Sequence, residues 1–318
     1  MKKLVLFFTF FAIAISALQV SAKPPREFSI YGGGGYSFFL YQRLNGTSNA
    51  DFYAPPETMK TPLLMAQGIH SGGFSGDLGV GYTGFVSSYV GFHVGLGFNI
   101  SHVGTNVDSL KLFTPDLIDS NNRRFNLYSV LSGYNEMHRM ACLSIPLMLQ
   151  FQIMKNQNQM WDKRSNLNYG FYSMIGVKLN VLLSNSYDSE IAALYNQAYY
   201  PDLDNWAATQ RFAGLGRFKG NSGNGNIGYV HAMFAFEAGM KWRIASNMFL
   251  YAGAYLDYGL NDPTKNNRTS ASNYIFPNDV QEFKLLTFAG RANLMTVGVK
   301  VRLAFFRNTD HQLKCPQL

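Results

Sequence analysis

Val90-Gly91-Phe92-His93-Val94-Gly95-Leu96-Gly97-Phe98-Asn99-Ile100-Ser101 alternates large apolar residues with small or polar ones for its whole length. A period of two sends successive side chains to opposite faces of a strand. Leu143, Ile145, Leu147, Leu149, Phe151 and Ile153 repeat the pattern against Cys142, Ser144, Pro146, Met148, Gln150 and Gln152. Met295, Val297, Val299, Val301, Leu303 and Phe305 repeat it against Thr296, Gly298, Lys300, Arg302, Ala304 and Phe306. These runs are about twice the usual soluble strand of 5–6 residues, and one complete face is apolar. Such a strand suits a wall with lipid on one side.

Eight runs of this kind are predicted, at 27–41, 71–86, 88–103, 139–154, 168–184, 227–243, 247–260 and 292–306. The gaps near 87, 155–167 and 244–246 are short or moderate, whereas 42–70, 104–138, 185–226 and 261–291 are long. Short turns at one end and long loops at the other are the asymmetry of a bacterial outer-membrane barrel. Lipid offers no partner to an open sheet edge, so the sheet must close. The expected fold is all-β: an eight-stranded antiparallel transmembrane β-barrel with four long extracellular loops and both termini periplasmic. Phe28, Tyr89, Tyr169, Trp242 and Phe305 fall where periplasmic interface anchors belong. Glycines at 32–35 and at 79 and 81 would permit tight curvature.

The N-terminus implies export. Lys2 and Lys3 precede an apolar Leu4–Leu18 stretch, and Val20-Ser21-Ala22 has the small residues of a cleavage site. Residues 1–22 are therefore read as a cleaved signal peptide, 23–306 as the barrel and 307–318 as a short periplasmic tail. The formal charge of +8 falls to about +6 without the two signal lysines and is not clustered. That balance argues against a nucleic-acid partner. Cys142 and Cys315 fall at opposite ends of this topology and are expected to be unbonded.

Leu143-Ser144-Ile145-Pro146-Leu147-Met148-Leu149, Ile175-Gly176-Val177-Lys178-Leu179 and Leu294-Met295-Thr296-Val297-Gly298-Val299-Lys300-Val301-Arg302-Leu303 resemble strands of the small PorT-like outer-membrane barrels of Bacteroidota. The resemblance spans essentially the whole mature chain and marks strands rather than chemistry. It implies an integral outer-membrane protein without a peptidoglycan-binding domain. One departure is the tail of about twelve residues after Phe306.

Parity places Asp77, Glu237 and Asp257 in the lumen with Lys178, Lys300 and Arg302. An eight-stranded barrel is narrow enough for side chains to fill it, and isolated charges there are costly. A salt-bridge plug is expected; a gated pore or proton path is the functional alternative. His93 and His231 also face inward, but spacing fixes no Ser beside either, so no catalytic residue is assigned. His70, His102 and His138 lie near the extracellular ends, with His70 expected roughly opposite His102. No acid or thiolate completes a metal set, and no cofactor is called for. Tyr195, Tyr199, Tyr200 and Trp206 are candidate partner-binding aromatics of the 185–226 loop, with packing as a lid as the alternative. Asp108-Ser109-Leu110 matches a short O-glycosylation pattern of Bacteroidota. The expected function is a non-enzymatic, plugged scaffold in outer-membrane lipid that displays loops to a protein or glycan partner. A narrow channel or passive transporter, and a membrane-embedded lipid hydrolase, are the alternatives.

Overall fold

The computed structural model describes residues 26–42, 63–155, 168–219, 222–225, 230–245, 247–261 and 291–307. The signal segment, the tail with Cys315, and most of the first and last long connections lie outside these residues. Strands β1 (Arg26–Gln42), β2 (Leu63–Phe85), β3 (Val90–Ile118), β4 (Arg124–Met154) and β5 (Tyr169–Tyr200) come first. Three short strands follow, β6 (Asn205–Ala207), β7 (Gly216–Lys219) and β8 (Ser222–Gly225), and then β9 (Val230–Ala245), β10 (Met248–Gly259) and β11 (Arg291–Arg307). Every pairing is antiparallel. The ring runs β1-β2-β3-β4-β5-β9-β10-β11 and closes from β11 to β1 over Arg26↔Arg307 to Gln42↔Arg291. A closed ring of eight antiparallel strands is the architecture expected from the alternating runs.

The two faces of the wall separate as the alternation requires. Val94, Leu96, Phe98 and Ile100 of β3 and Val297, Val299 and Val301 of β11 are exposed, while His93, Ser101, Lys300 and Arg302 are buried. Phe28, Tyr89, Tyr169 and Phe305 are exposed near the short-turn end, with Phe28 paired to Phe305 and Tyr169 to Trp242. Inside, glycines make room for rings. A Cβ at Gly79 or at Gly97 would lie 2.5 Å from the Tyr31 hydroxyl, and one at Gly35 2.8 Å from that of Tyr255. The narrow lumen is filled by setting large side chains over glycines of facing strands.

The expectation that 104–138 and 185–200 are loops is corrected. β3, β4 and β5 are 29, 31 and 32 residues long, about three times the 9–11 that a tilted strand needs to cross a bilayer. Their upper halves, with the start of β2, form a tall sheet, here termed the blade, that rises from one side of the barrel. Alternation does not reveal it because Leu110, Lys111, Leu112, Phe113 and Thr114 are all buried, so both faces are covered. The β3–β4 hairpin closes through Asp119, whose Oδ1 accepts the backbone N–H groups of Asn121 and Arg123 at 2.9 Å. Asn122 takes the left-handed conformation there, with φ 62°.

Candidate functional site

The lumen is the chemically distinctive region. β5 supplies Lys178, β2 Asp77, β10 Asp257, β9 Glu237, and β11 both Lys300 and Arg302; all six are buried. Lys178 Nζ donates to Asp257 at 2.5 Å and to Asp77 at 3.4 Å. Lys300 Nζ stands 3.1 Å from Asp77 and 3.7 Å from Glu237, and Arg302 Nη2 lies 3.4 Å from Glu237. The structure thus brings all six residues singled out by parity into one chain across the barrel. Tyr172 donates to Glu237 at 2.8 Å. Arg302 lies over the ring of Tyr251 at 4.3 Å, and Lys300 over that of Tyr255 at 4.8 Å. In a poorly hydrated interior such contacts offset part of the desolvation of each charge.

Sequence reasoning missed a second layer nearer the short turns. Lys241 Nζ donates to Glu27 at 2.8 Å and to Gln152 at 2.9 Å, and the Tyr251 hydroxyl donates to the other Glu27 oxygen at 2.5 Å. Gln150 links the layers, donating to Tyr251 and accepting from Arg302, each at 3.3 Å. Lys241 also sits 3.9 Å over the ring of Phe249, which stacks on Phe306 at 5.0 Å. The signal was available: Lys241 shares the parity of Glu237, and Glu27 that of Tyr31.

The histidines are dispersed. His93 Nδ1 is bonded to the Thr83 hydroxyl at 2.9 Å. His231 Nε2 packs over Gly259, 2.6 Å from where a Cβ would stand. Among the described residues no hydrogen bond joins a Ser to either ring. The pairing expected for His70 and His102 is corrected: His70 opposes Asn106 and His102 opposes Phe74, a four-residue offset of about 13 Å. The tight Val86–Tyr89 turn sets that register. His138 is fully buried and bonded to Glu136, which also accepts from Tyr134. Among the described residues no three His, Cys, Asp or Glu side chains group as metal ligands. Cys142 is a buried free thiol.

The candidate aromatics lie on the blade. Tyr195, Tyr199 and Tyr200 belong to β5, and Trp206 to β6, which pairs with β5. Trp206 rests between Tyr128 and Tyr199 with ring centroids 5.0 Å apart in each pair, and Phe113 packs on Tyr128 at 4.9 Å. Tyr199 is buried and donates to Asp204 at 2.7 Å; Tyr195 accepts from Gln197; Tyr200 packs on Phe125. Trp206 keeps 46% of its surface exposed. Burial, with the neighbouring Tyr199, pushes the Tyr128 hydroxyl up to about 12. Ser109 lies in mid-strand, paired with Gln67 and Ser132.

A closed antiparallel ring with an apolar exterior and a charged interior is an integral barrel of the outer membrane. The chain belongs to the outer membrane protein beta-barrel domain family, whose model matches residues 19–262. No curated protein matches the sequence. Among solved structures the chain is similar to the attachment invasion locus protein Ail of Yersinia pestis, at 11% identity and TM-score 0.25, covering 88% of this chain and 98% of that one. It is also similar to the outer membrane protein OprG of Pseudomonas aeruginosa, at 9% and 0.31, covering 90% and 98%. Neisserial surface protein A matches at 10% and 0.26, covering 87% and 97%.

Proposed function

We propose that this protein is a plugged, non-enzymatic scaffold that presents its blade to a protein or glycan partner outside the cell. The observation that carries the reading is the lumen, in which charged and aromatic side chains are joined from Glu27 and Lys241 through Arg302 and Glu237 to Lys178 and Asp257. A blocked lumen leaves the surface as the place of work, and the blade multiplies that surface without altering the membrane wall. The half-exposed Trp206, braced by Tyr128 and Tyr199, is the anchor we assign to the partner contact. Tyr195 and Tyr200 flank it on β5.

The orientation that fits this reading puts both termini in the periplasm, after removal of residues 1–22, with 307–318 as a tail. Within the family, the strand sequences at 143–149, 175–179 and 294–303 support membership of the PorT-like barrels of Bacteroidota. Planar-bilayer recordings of the purified protein test the plug: the expected result is no steady conductance, and a large stable conductance would favour the channel. Crosslinking of intact cells from a photoreactive residue at Trp206, read by mass spectrometry, tests the blade. A discrete adduct that disappears when the same residue is placed at membrane-facing Val299 is expected; no adduct from the blade sinks the display role.

A further inference from the structure

The outward face of the wall changes chemistry at one height. On β3 the outward residues Val90, Phe92, Val94, Leu96, Phe98 and Ile100 are apolar, and the next on that face is the exposed His102. At about 3.3 Å per residue and a tilt of about 40°, Val90 to Ile100 rises roughly 25 Å, the height of an outer-membrane apolar band. The neighbouring strands switch in step: β4 passes from Leu143 and Ala141 to the exposed Arg139, and β5 from the exposed Leu183 to the exposed Asp188. Register pairs His102 with Arg139, and four residues further along pairs Asn106 with Asn135 and Asn135 with Glu190. Asn106, Asn135 and Glu190 are exposed as well. On the opposite face Val103, Thr105, Glu136, His138 and Tyr187 are buried, so the exposed set points the same way as the lipid-facing side chains below it.

This polar face is a direct continuation of the membrane wall. A lipid whose chains pack on Val94 to Ile100 must set its headgroup against it, ahead of any partner arriving from outside. The order of the groups suits a headgroup with phosphate near the chains and sugars above. Arg139 and His102 supply N–H donors at the edge of the apolar band. Arg139 is bonded to Asp188 at 2.7 Å through one nitrogen, and with both side chains about half exposed its other donors face outward. Roughly 10 Å higher, the Asn106 and Asn135 amides both donate and accept, and the Glu190 carboxylate accepts, as hydroxyl groups require. We propose that this face seats the phosphorylated saccharide headgroup of an outer-leaflet glycolipid, with Arg139 and His102 at the phosphate and Asn106, Asn135 and Glu190 at the sugar hydroxyls. The proposal rests on the orientation that puts the blade outside the cell, and it adds a partner that display does not need, the lipid of the protein's own membrane.

The purified protein is placed in phosphatidylcholine nanodiscs titrated with deep-rough lipopolysaccharide, and the glycolipid it retains on release is counted by native mass spectrometry. Nanodiscs surround the wall with lipid whichever way the protein faces in cells, so this test and the crosslinking from Trp206 fail independently. Wild type should retain lipopolysaccharide. Arg139→Glu should weaken binding roughly tenfold, and Asn106→Ala/Asn135→Ala roughly threefold. Heat-modifiable gel migration verifies the barrel in each, and the asparagine pair decides the matter if Arg139→Glu fails to fold. Arg124→Glu, the same charge change at the exposed far end of the blade, should bind as wild type does. Equal retention by wild type and both face variants, or an equal loss in Arg124→Glu, would overturn the headgroup site. Equal retention of phosphatidylglycerol would also overturn it, by showing a general response to anionic lipid. So would complete displacement by free core oligosaccharide, which would mark a soluble glycan partner instead.

Discussion

Removing the Glu237 carboxylate is the sharpest test of the lumen network. Glu237 accepts from Tyr172 at 2.8 Å and faces Arg302 at 3.4 Å and Lys300 at 3.7 Å. Breaking a buried pair by deleting one partner costs about 3–5 kcal/mol, because the other charge stays in a dry interior. Here the remaining charges are partly provided for. Lys300 keeps Asp77 at 3.1 Å, and Arg302 keeps Gln150 at 3.3 Å and the Tyr251 ring at 4.3 Å. Glu237→Ala should therefore fall at the lower end, about 3 kcal/mol. The double variant Glu237→Ala/Arg302→Met, which removes both charges, should recover a large part of that loss. Reversible urea unfolding in lipid vesicles, followed by tryptophan fluorescence and by gel migration, measures both. A Glu237→Ala protein within about 1 kcal/mol of wild type would refute the claim that the lumen is dry and the charges interdependent.

Gly97→Ala should destabilise the barrel by about 1–3 kcal/mol, since its Cβ would stand 2.5 Å from the Tyr31 hydroxyl. Tyr31→Phe in the same chain should recover part of this; no recovery in the unfolding midpoint would show that the ring is not what fills the glycine hole. Lys241→Met should leave the buried Glu27 carboxylate without its cation, with the Tyr251 hydroxyl still donating to it, and lower the midpoint at least as far as Glu237→Ala. At the blade tip, the raised Tyr128 hydroxyl contributes stability that is fully present below pH 10 and is lost as pH rises toward about 12. Trp206 fluorescence, with Trp161→Phe and Trp242→Phe, should change over that window and stay flat if Tyr128 is replaced by Phe.

The membrane wall was legible because lipid imposes a strict rule on it. Every second residue of β3 from Val94 to Ile100 must be apolar, and the other face answers to the lumen. The same parity located Asp77, Lys178, Glu237, Asp257, Lys300 and Arg302. Glu27 and Lys241 obey the same parity nearer the strand ends, where a charge can equally belong to the aqueous rim. The blade was not legible, because no single rule governs it. Leu110 to Thr114 are buried on both faces, and nearer the barrel the inward positions mix Val103, Val107, Tyr187 and Ile191 with Thr105, Glu136, His138 and Ser189, so burial alternates there without a matching alternation of polarity. Nor could spacing fix the register of His70, since four residues of offset depend on how tightly 86–89 turns.

Closure by β1 against β11 joins the two ends of the chain, and this fixes an order of assembly. The sheet cannot lose its edges until the last strand has been delivered, so every earlier stage carries two unpaired rows of backbone groups. That same strand carries Lys300 and Arg302, two of the three cations of the upper network. Until it docks, Glu237 waits with neither cation and Asp77 with Lys178 alone of the two. Sealing of the wall and neutralisation of the lumen are therefore one event, and a chain halted before residue 291 lacks both. The final strand acts as the key that turns an open, charged, water-requiring sheet into a cylinder able to rest in lipid.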